Sequence, residues 1–235
     1  SLLSAGLMDG KVERFIPVTI LMLLMGLLVG LINGSIVKRG RVPPFITTLG
    51  TALILQGAAL AYTTVPKGSI PAVMGDLFYY DSIGPIPHPV ILLTAIFILA
   101  WVLLHKTGFG RAIYAVGGNP EVAHRAGIQV GKTQISVYCL VSFLVAVAAL
   151  IATARMGIGD PLAGMGMELD SITVVVIGGT SLFGGRGNLL GTLAGVFILI
   201  LISNVMVITG VSVFYQQLIK GFVVLLVVAL YKQRT

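Results

Sequence analysis

The sequence predicts an all-α protein, a polytopic bundle of about six to seven transmembrane segments of roughly 20 residues each. Three observations predict this class: 57% of the 235 residues are hydrophobic, only 10% are charged, and the mean hydropathy is +1.04. Soluble domains carry about 25% charged residues, so this chain has too few charges to cover a surface in water. Intrinsic disorder is also excluded, because disordered chains are poor in apolar residues.

Seven apolar runs, named segments A to G, are the candidates for these helices. Most are apolar on every face, which is typical of helices surrounded by lipid and by other helices. Residues 1–8 are interpreted as the end of an apolar segment that begins upstream, so we expect the chain to be part of a longer protein. The segments are A, 15–37; B, 45–62; C, 90–104; D, 135–154; E, 171–183; F, 189–208; and G, 213–231.

Segment A carries Gly26, Gly30 and Gly34, which are four residues apart and therefore share one helix face. Small residues at this spacing let two membrane helices approach closely. This face, which we call the glycine seam, is compatible with a contact between two subunits and with packing against another helix of the same chain. The sequence leaves both alternatives open.

Segment E is short and ends in a glycine-rich stretch that includes Gly178, Gly179, Gly184 and Gly185. These glycines predict a broken helix or close packing, because non-helical backbone at membrane depth must be buried in protein or line a wet cavity. Segment E is either a short crossing or a re-entrant loop. The distribution of charge favours the crossing, since a re-entrant loop would place Arg186 and the basic C-terminus outside.

The basic residues predict an orientation, because cytoplasmic loops collect Lys and Arg. If the loop after segment A is cytoplasmic, ten basic residues and one acid, Glu121, lie inside, together with the C-terminus. Four basic residues and seven acids then lie outside. This bias accounts for the net charge of +7 without any binding of nucleic acid. The ten are Lys38, Arg39, Arg41, Lys106, Arg111, Arg125, Lys132, Arg186, Lys232 and Arg234.

The sequence contains few candidates for metal-binding, phosphate-binding or ion-coupling residues. One cysteine and three scattered histidines make no metal cluster, so no metal site is predicted. The nearest match to a phosphate-binding loop, at 126–133, lacks the first glycine and a preceding strand. No Asp or Glu lies in the middle of a span, which argues against a proton- or sodium-coupled carrier. Thr51, Gln56 and Asn204 are polar residues within spans and are predicted to line a solute path; interhelical hydrogen bonds are the alternative.

The loop between segments C and D carries the signals of a short capped helix. Asn119 is a favoured N-cap residue, and Pro120 is favoured at the first helical position. The negative charge of Glu121 is favourable at the positive N-terminal end of a helix. Gly127 is placed to end the helix. We predict about two turns over 119–128, displayed on the cytoplasmic face. The helix either docks a partner or lies on lipid, and its weak apolar face favours docking.

From Arg111 to Ile128, this loop resembles the coupling-helix region of permease subunits of bacterial ABC sugar importers of the ribose, xylose and autoinducer-2 type. Residues 42–51, followed by Gln56 and Gly57, are similar to that family's Pro-x-Phe-Ile-x-Thr-Leu segment. Residues 169–187 resemble its most recognisable glycine-rich signature, and the likeness continues through 215–221. It therefore covers nearly the whole chain, with several motifs in the same order.

The resemblance implies that residues 1–235 form a permease domain, roughly the C-terminal two thirds of a full permease. It implies import of a small, ribose-like monosaccharide across the bacterial inner membrane, with no cofactor held by this chain. The implied partners are a separate ABC ATPase that binds ATP, a periplasmic or lipid-anchored binding protein, a second permease subunit in a homo- or heterodimer, and membrane lipid. The implied coupling loop is 105–134, with coupling residues Arg111, Asn119, Pro120, Glu121, Gly127 and Ile128.

Two alternatives remain. A branched-chain amino acid permease shares the fold superfamily, but its coupling loop tends to be richer in charge, whereas residues 117–121 favour a sugar permease. A non-transporting membrane scaffold is a different class of protein. Gln56, Asn204 and the broken segment E argue against it.

Overall fold

A computed structural model of the chain describes residues 1–40, 42–182, 184–212, 214–219 and 221–222. These residues are mostly helical, which confirms the all-α class. By its internal contacts the chain divides into two compact units. The first unit contains the described residues of 1–113 and 123–163, and the second contains residues 114–122 and the described residues from 164 onward.

Within the described ranges, five helices are long and apolar enough to cross a bilayer, and they coincide with segments A to D and F. Segment F matches its helix residue for residue, whereas the other helices extend beyond the predicted segments by one to five residues at an end. The short 3₁₀ turn Val12–Arg14 precedes the first of them. The five helices are α2, Phe15–Gly40; α3, Pro44–Tyr62; α5, His88–Lys106; α8, Val130–Met156; and α10, Leu189–Ile208.

Short elements close one end of the first unit. The helical ones pack around a small core in which Met8 and Met74 are fully buried beside Leu150 and Ala154 of α8, whereas the two strands are exposed. The strands form an antiparallel hairpin in which Ile83 lies opposite Ile86. These elements are α1, Leu2–Met8; α4, Ala72–Gly75; the π-helical turn Asp76–Tyr80; β1, Ser82–Ile83; and β2, Ile86–Pro87.

The glycine seam of α2 packs against α8 of the same chain, in antiparallel register. A Cβ added at Gly30 would lie 2.6 Å from the Tyr138 carbonyl oxygen, and one at Gly26 would lie 2.7 Å from the Ala146 Cβ. At Gly34 the nearest atom would be the Ile135 Cα, at 2.9 Å. Of the two alternatives for this seam, the structure therefore confirms packing within one chain.

Segment E forms α9, Met167–Ile177, which is only 11 residues long. At 1.5 Å per residue it spans about 17 Å, against a hydrocarbon core of about 30 Å, so α9 alone does not cross the bilayer. Helix α9 packs closely on α10, where a Cβ at Gly178 would lie 2.6 Å from the carbonyl carbon of Gly191. Of segment G, residues 214–219 and 221–222 are described and helical. The rest of that prediction lies outside the described residues.

Candidate functional site

The loop between α5 and α8 contains helix α7, Pro120–Arg125, whose first turn is capped by Asn119. The side-chain Oδ1 of Asn119 accepts hydrogen bonds from the backbone N–H of Glu121 at 3.0 Å and of Val122 at 3.1 Å. Pro120 occupies the first helical position, where its missing N–H costs nothing. The predicted start of this helix is confirmed.

Gly127 ends α7 in a Schellman motif. Its φ is +84°, its N–H donates to the His124 carbonyl oxygen at 2.9 Å, and the Ile128 N–H donates to the Ala123 carbonyl oxygen at 3.0 Å. A Cβ at this position would meet nothing within 4 Å, so glycine is required here by the backbone angle and not by space. The predicted end is also confirmed, and the helical residues occupy the middle of the predicted range 119–128.

Sequence reasoning missed a second helix, α6, Gly108–Gly118, which we expected to be loop. Its four glycines argue against a helix, yet Phe109, Ile113 and Val116 recur at helical spacing and Val116 is only 7% exposed. Thr107, a residue type favoured at the N-cap, was a further signal for the start of this helix. Its hydroxyl accepts a hydrogen bond from the Gly110 N–H at 3.1 Å. The amphipathic face therefore outweighs the low helix propensity of glycine.

Most of the predicted coupling residues are at the surface of the described chain. Arg111, Asn119, Pro120, Glu121 and Gly127 are exposed, and Ile128 is half-buried. Within α7 only Ala123 is buried, whereas the apolar Val122 is 61% exposed. The helix thus exposes an acid, an apolar side chain and two basic side chains, namely Glu121, Val122, His124 and Arg125.

The described residues of the glycine-rich stretch after α9 form hydrogen-bonded turns that lead to α10. The N–H of Gly179, at φ +80°, donates to the Val176 carbonyl oxygen, and that of Thr180 donates to the Val175 carbonyl oxygen, each at 3.0 Å. At the other end, the Oδ1 of Asn188 accepts the N–H of Leu190 at 3.0 Å and caps α10. Helix α9 therefore ends at the predicted glycines. Its C-terminus and the N-terminus of α10 are both capped.

The polar residues predicted to line a solute path are distributed over both units. In the first unit, the Thr51 hydroxyl lies 2.6 Å from the Oδ1 of Asn33, and Gln56 Nε2 donates to the Pro161 carbonyl oxygen at 3.3 Å. Asn204 lies in the second unit and is exposed. Their role along a path stays a prediction.

Asn33 was not predicted as a functional residue. It is 6% exposed and is the single Asn in the apolar helix α2, which is the signal that could have identified it.

Comparisons with known proteins place these features in a family. A family model described as the permease component of branched-chain amino acid transport systems matches residues 1–228. The ribose import permease protein RbsC of Escherichia coli K12 is 42% identical over 210 residues, 88% of this chain and 65% of its own length. The same-named protein of Bacillus subtilis is 41% identical over 208 residues, 86% of this chain and 64% of its own length.

A more distant relative, the D-allose transport system permease protein AlsC of Escherichia coli K12, is 35% identical over 231 residues, 97% of this chain and 70% of its own length. The chain thus spans slightly less than two thirds of the length of the two ribose permeases it matches. No solved structure shows a significant match.

Proposed function

This chain belongs to the family of permease components of branched-chain amino acid transport systems, and on that premise we propose that it forms part of the membrane permease of an ATP-driven sugar importer. The solute is a small, ribose-like monosaccharide that crosses the bacterial inner membrane. The observation that carries the proposal is the 42% identity to a ribose import permease over 88% of this chain. The permease itself is not an enzyme, and its partner hydrolyses ATP.

Helix α7 supports an ATPase partner. Its two ends are fixed by the Asn119 cap and by the Schellman motif at Gly127, so it has a defined shape although it is only six residues long. A pre-formed, exposed element loses little conformational freedom when it docks. We therefore propose that an ABC ATPase docks at α7. The family suggests the other two proposed partners, which are a periplasmic or lipid-anchored binding protein at the opposite side of the membrane and a second permease subunit.

The packing of α2 against α8 supports the proposed orientation. Lys38 near the C-terminus of α2 lies against the N-terminal turn of α8, where a Cβ at Gly131 would lie 2.9 Å from the Lys38 Cδ. Lys38 and Lys132 therefore belong to the same end of this helix pair. We propose that this end faces the cytoplasm, because basic residues collect there.

We predict that cysteines introduced at Gly40, Gln129 and Gln233 are shielded from a membrane-impermeant thiol reagent in intact cells. The native Cys139 is replaced by Ser in all variants. A cysteine at Ser82, in the β1–β2 hairpin, is the control and should be labelled from outside. Labelling at any of the first three positions before the cells are permeabilised contradicts the orientation.

We predict that leucine at Gln56 or Asn204 lowers sugar uptake several-fold while the amount of assembled complex changes little. Both side chains offer amide donors and acceptors to sugar hydroxyls, and leucine offers neither. The matched control is Gln134→Leu, near the N-terminus of α8 and outside the proposed path. Normal uptake by both Leu variants would make these residues structural only.

The transport proposal is tested with the complete permease, reconstituted together with the ATPase and binding protein encoded beside it. Uptake of radiolabelled ribose is measured against radiolabelled leucine, with and without ATP. We expect ATP-dependent uptake of ribose and none of leucine. ATP-dependent uptake of leucine would instead support the amino acid permease. If ATP stimulates the uptake of neither ribose nor leucine, the importer proposal is contradicted.

A further inference from the structure

We infer that a backbone contact between glycines connects the ATPase-docking element to the α9–α10 hairpin, and that Gly117, Gly185 and Tyr114 are positioning residues for transport. The inference rests on the proposed function, because it assumes that α7 docks an ATPase. It adds a second route by which movement at α7 reaches the membrane, besides the spans α5 and α8 that flank the loop. Residues 114–122, α9 and α10 belong to the same compact unit.

The first step joins α7 to the end of α6 without a flexible linker. The backbone N–H of Asn119 donates to the Ala115 carbonyl oxygen at 3.1 Å, which continues the hydrogen bonding of α6. The side chain of the same residue caps α7. One residue therefore links the two helices through both its backbone and its side chain, so a displacement of α7 moves the last turn of α6.

The second step is a contact of backbone on backbone between the last turn of α6 and the glycine loop 184–187. A Cβ at Gly117 would lie 2.9 Å from the backbone nitrogen of Gly185, and one at Gly185 would lie 2.7 Å from the Gly118 Cα. The Tyr114 hydroxyl donates to the Gly187 carbonyl oxygen at 3.4 Å in the same contact. Because no side chain lies between the two glycine backbones, rotamer changes cannot absorb a displacement there.

The third step carries the displacement from the loop into the two helices. The glycine loop 184–187 lies within the connection between α9 and α10, where the Ser181 N–H donates to the Arg186 carbonyl oxygen at 3.0 Å. This connection joins the capped termini of α9 and α10 described above. Those helices are held together where a Cβ at Gly195 would lie 3.2 Å from the Val174 carbonyl carbon. Contiguous packed contacts of this kind are the physical route for coupling between separated sites.

The sharpest test is Gly117→Ala, with Gly118→Ala as its matched control. Both positions are at the end of α6 and neither has a positive φ, but a Cβ at Gly118 meets no atom closer than 3.8 Å. The complete permease, its ATPase and its binding protein are reconstituted in vesicles, and labelled ribose uptake and ATP hydrolysis are measured together. The readout is the amount of ribose moved per ATP hydrolysed.

We expect Gly117→Ala to lower this ratio about threefold or more, since residues along a coupling route change coupling by such factors. Gly118→Ala should leave the ratio unchanged, and Tyr114→Phe should lower it to a smaller extent. Loss of folded complex reduces uptake and hydrolysis in proportion, so a purely structural role would leave the ratio constant. An unchanged ratio in Gly117→Ala, or an equal decrease in Gly118→Ala, overturns the inference.

A second measurement does not depend on the sugar. Leu182 is 54% exposed in the glycine-rich connection, so a cysteine at this position reports on the loop in a chain whose Cys139 is Ser. We expect a non-hydrolysable ATP analogue to change its rate of thiol labelling in inside-out vesicles, and Gly117→Ala to remove that response. If the labelling responds in this way but no ribose is taken up, the sugar proposal fails and the inference stands. A response that persists in Gly117→Ala overturns the inference.

Discussion

Gly30→Ala is expected to destabilise the chain by about 2–3 kcal/mol, the usual cost of forcing an extra group into a packed interface. The added methyl would lie 2.6 Å from the Tyr138 carbonyl oxygen and 2.7 Å from the Cys139 Cα. Both atoms belong to the backbone of α8, so the two helices must move apart, and the loss extends along their whole contact. The midpoint of thermal unfolding in detergent should decrease by about 5–10 °C.

The matched control is Gly50→Ala in α3. It is also a glycine within a membrane-spanning helix, but a Cβ there meets nothing within 4 Å. Alanine favours helix over glycine, so this variant should be as stable as the parent or slightly more stable. Equal unfolding midpoints for Gly30→Ala and Gly50→Ala would contradict the close packing of α2 on α8.

Gly127→Val is expected to reduce the association of the ATPase with the permease about tenfold, because 1.4 kcal/mol corresponds to that factor. Valine in the left-handed region costs roughly 1–2 kcal/mol, and Gly127 has a φ of +84°. Because valine disfavours this φ, the hydrogen bonds that end α7 break, and the docking element loses its shape. The measurement is the amount of ATPase that co-purifies with the tagged permease, together with ribose uptake in vesicles.

Gly127→Asn is the control for this prediction. Asn tolerates the left-handed conformation better than any other non-glycine residue type, and the position has space for its side chain. We therefore expect Asn to keep most of the co-purified ATPase. Wild-type amounts of ATPase and wild-type uptake with Val would show that the 105–134 loop is a connector and not a coupling element.

Much of the fold is predictable because the signals are local. Length and hydropathy place α10 at the predicted residues, and cap chemistry places α7 between Asn119 and Gly127. The prediction fails at α6, where an amphipathic face outweighs four glycines. It also misplaces the bounds of segment E, because α9 begins at Met167, four residues before the predicted start, and ends at Ile177, before the glycines that the segment included. At α6 packing of the amphipathic face outweighs local propensity, whereas at α9 the local glycine signal ends the helix.

For the candidate site, the sequence indicates which residues are unusual but not what they touch. The caps of α7 need only hydrogen bonds within a few residues, so sequence alone is enough to assign Asn119 and Gly127 to the two ends of this helix. Gln56 was recognisable as a polar residue in a span, yet its bond to the Pro161 carbonyl oxygen could not be predicted. Asn33 attracted no functional prediction although it is the single Asn in the apolar helix α2, and its contact with Thr51 could not be predicted from sequence.

The sequence by itself determined that this is a membrane protein, where five of its spans lie, and where the short helix α7 begins and ends. Only the tertiary structure decided that the seam of Gly26, Gly30 and Gly34 faces α8 of the same chain, and that the end of α6 rests on the glycine loop. The reason is physical. Burial in lipid and helix capping depend on residues that are neighbours in the sequence. Close approach of two backbones depends on residues far apart in the chain, and sequence periodicity does not predict which of these residues come into contact.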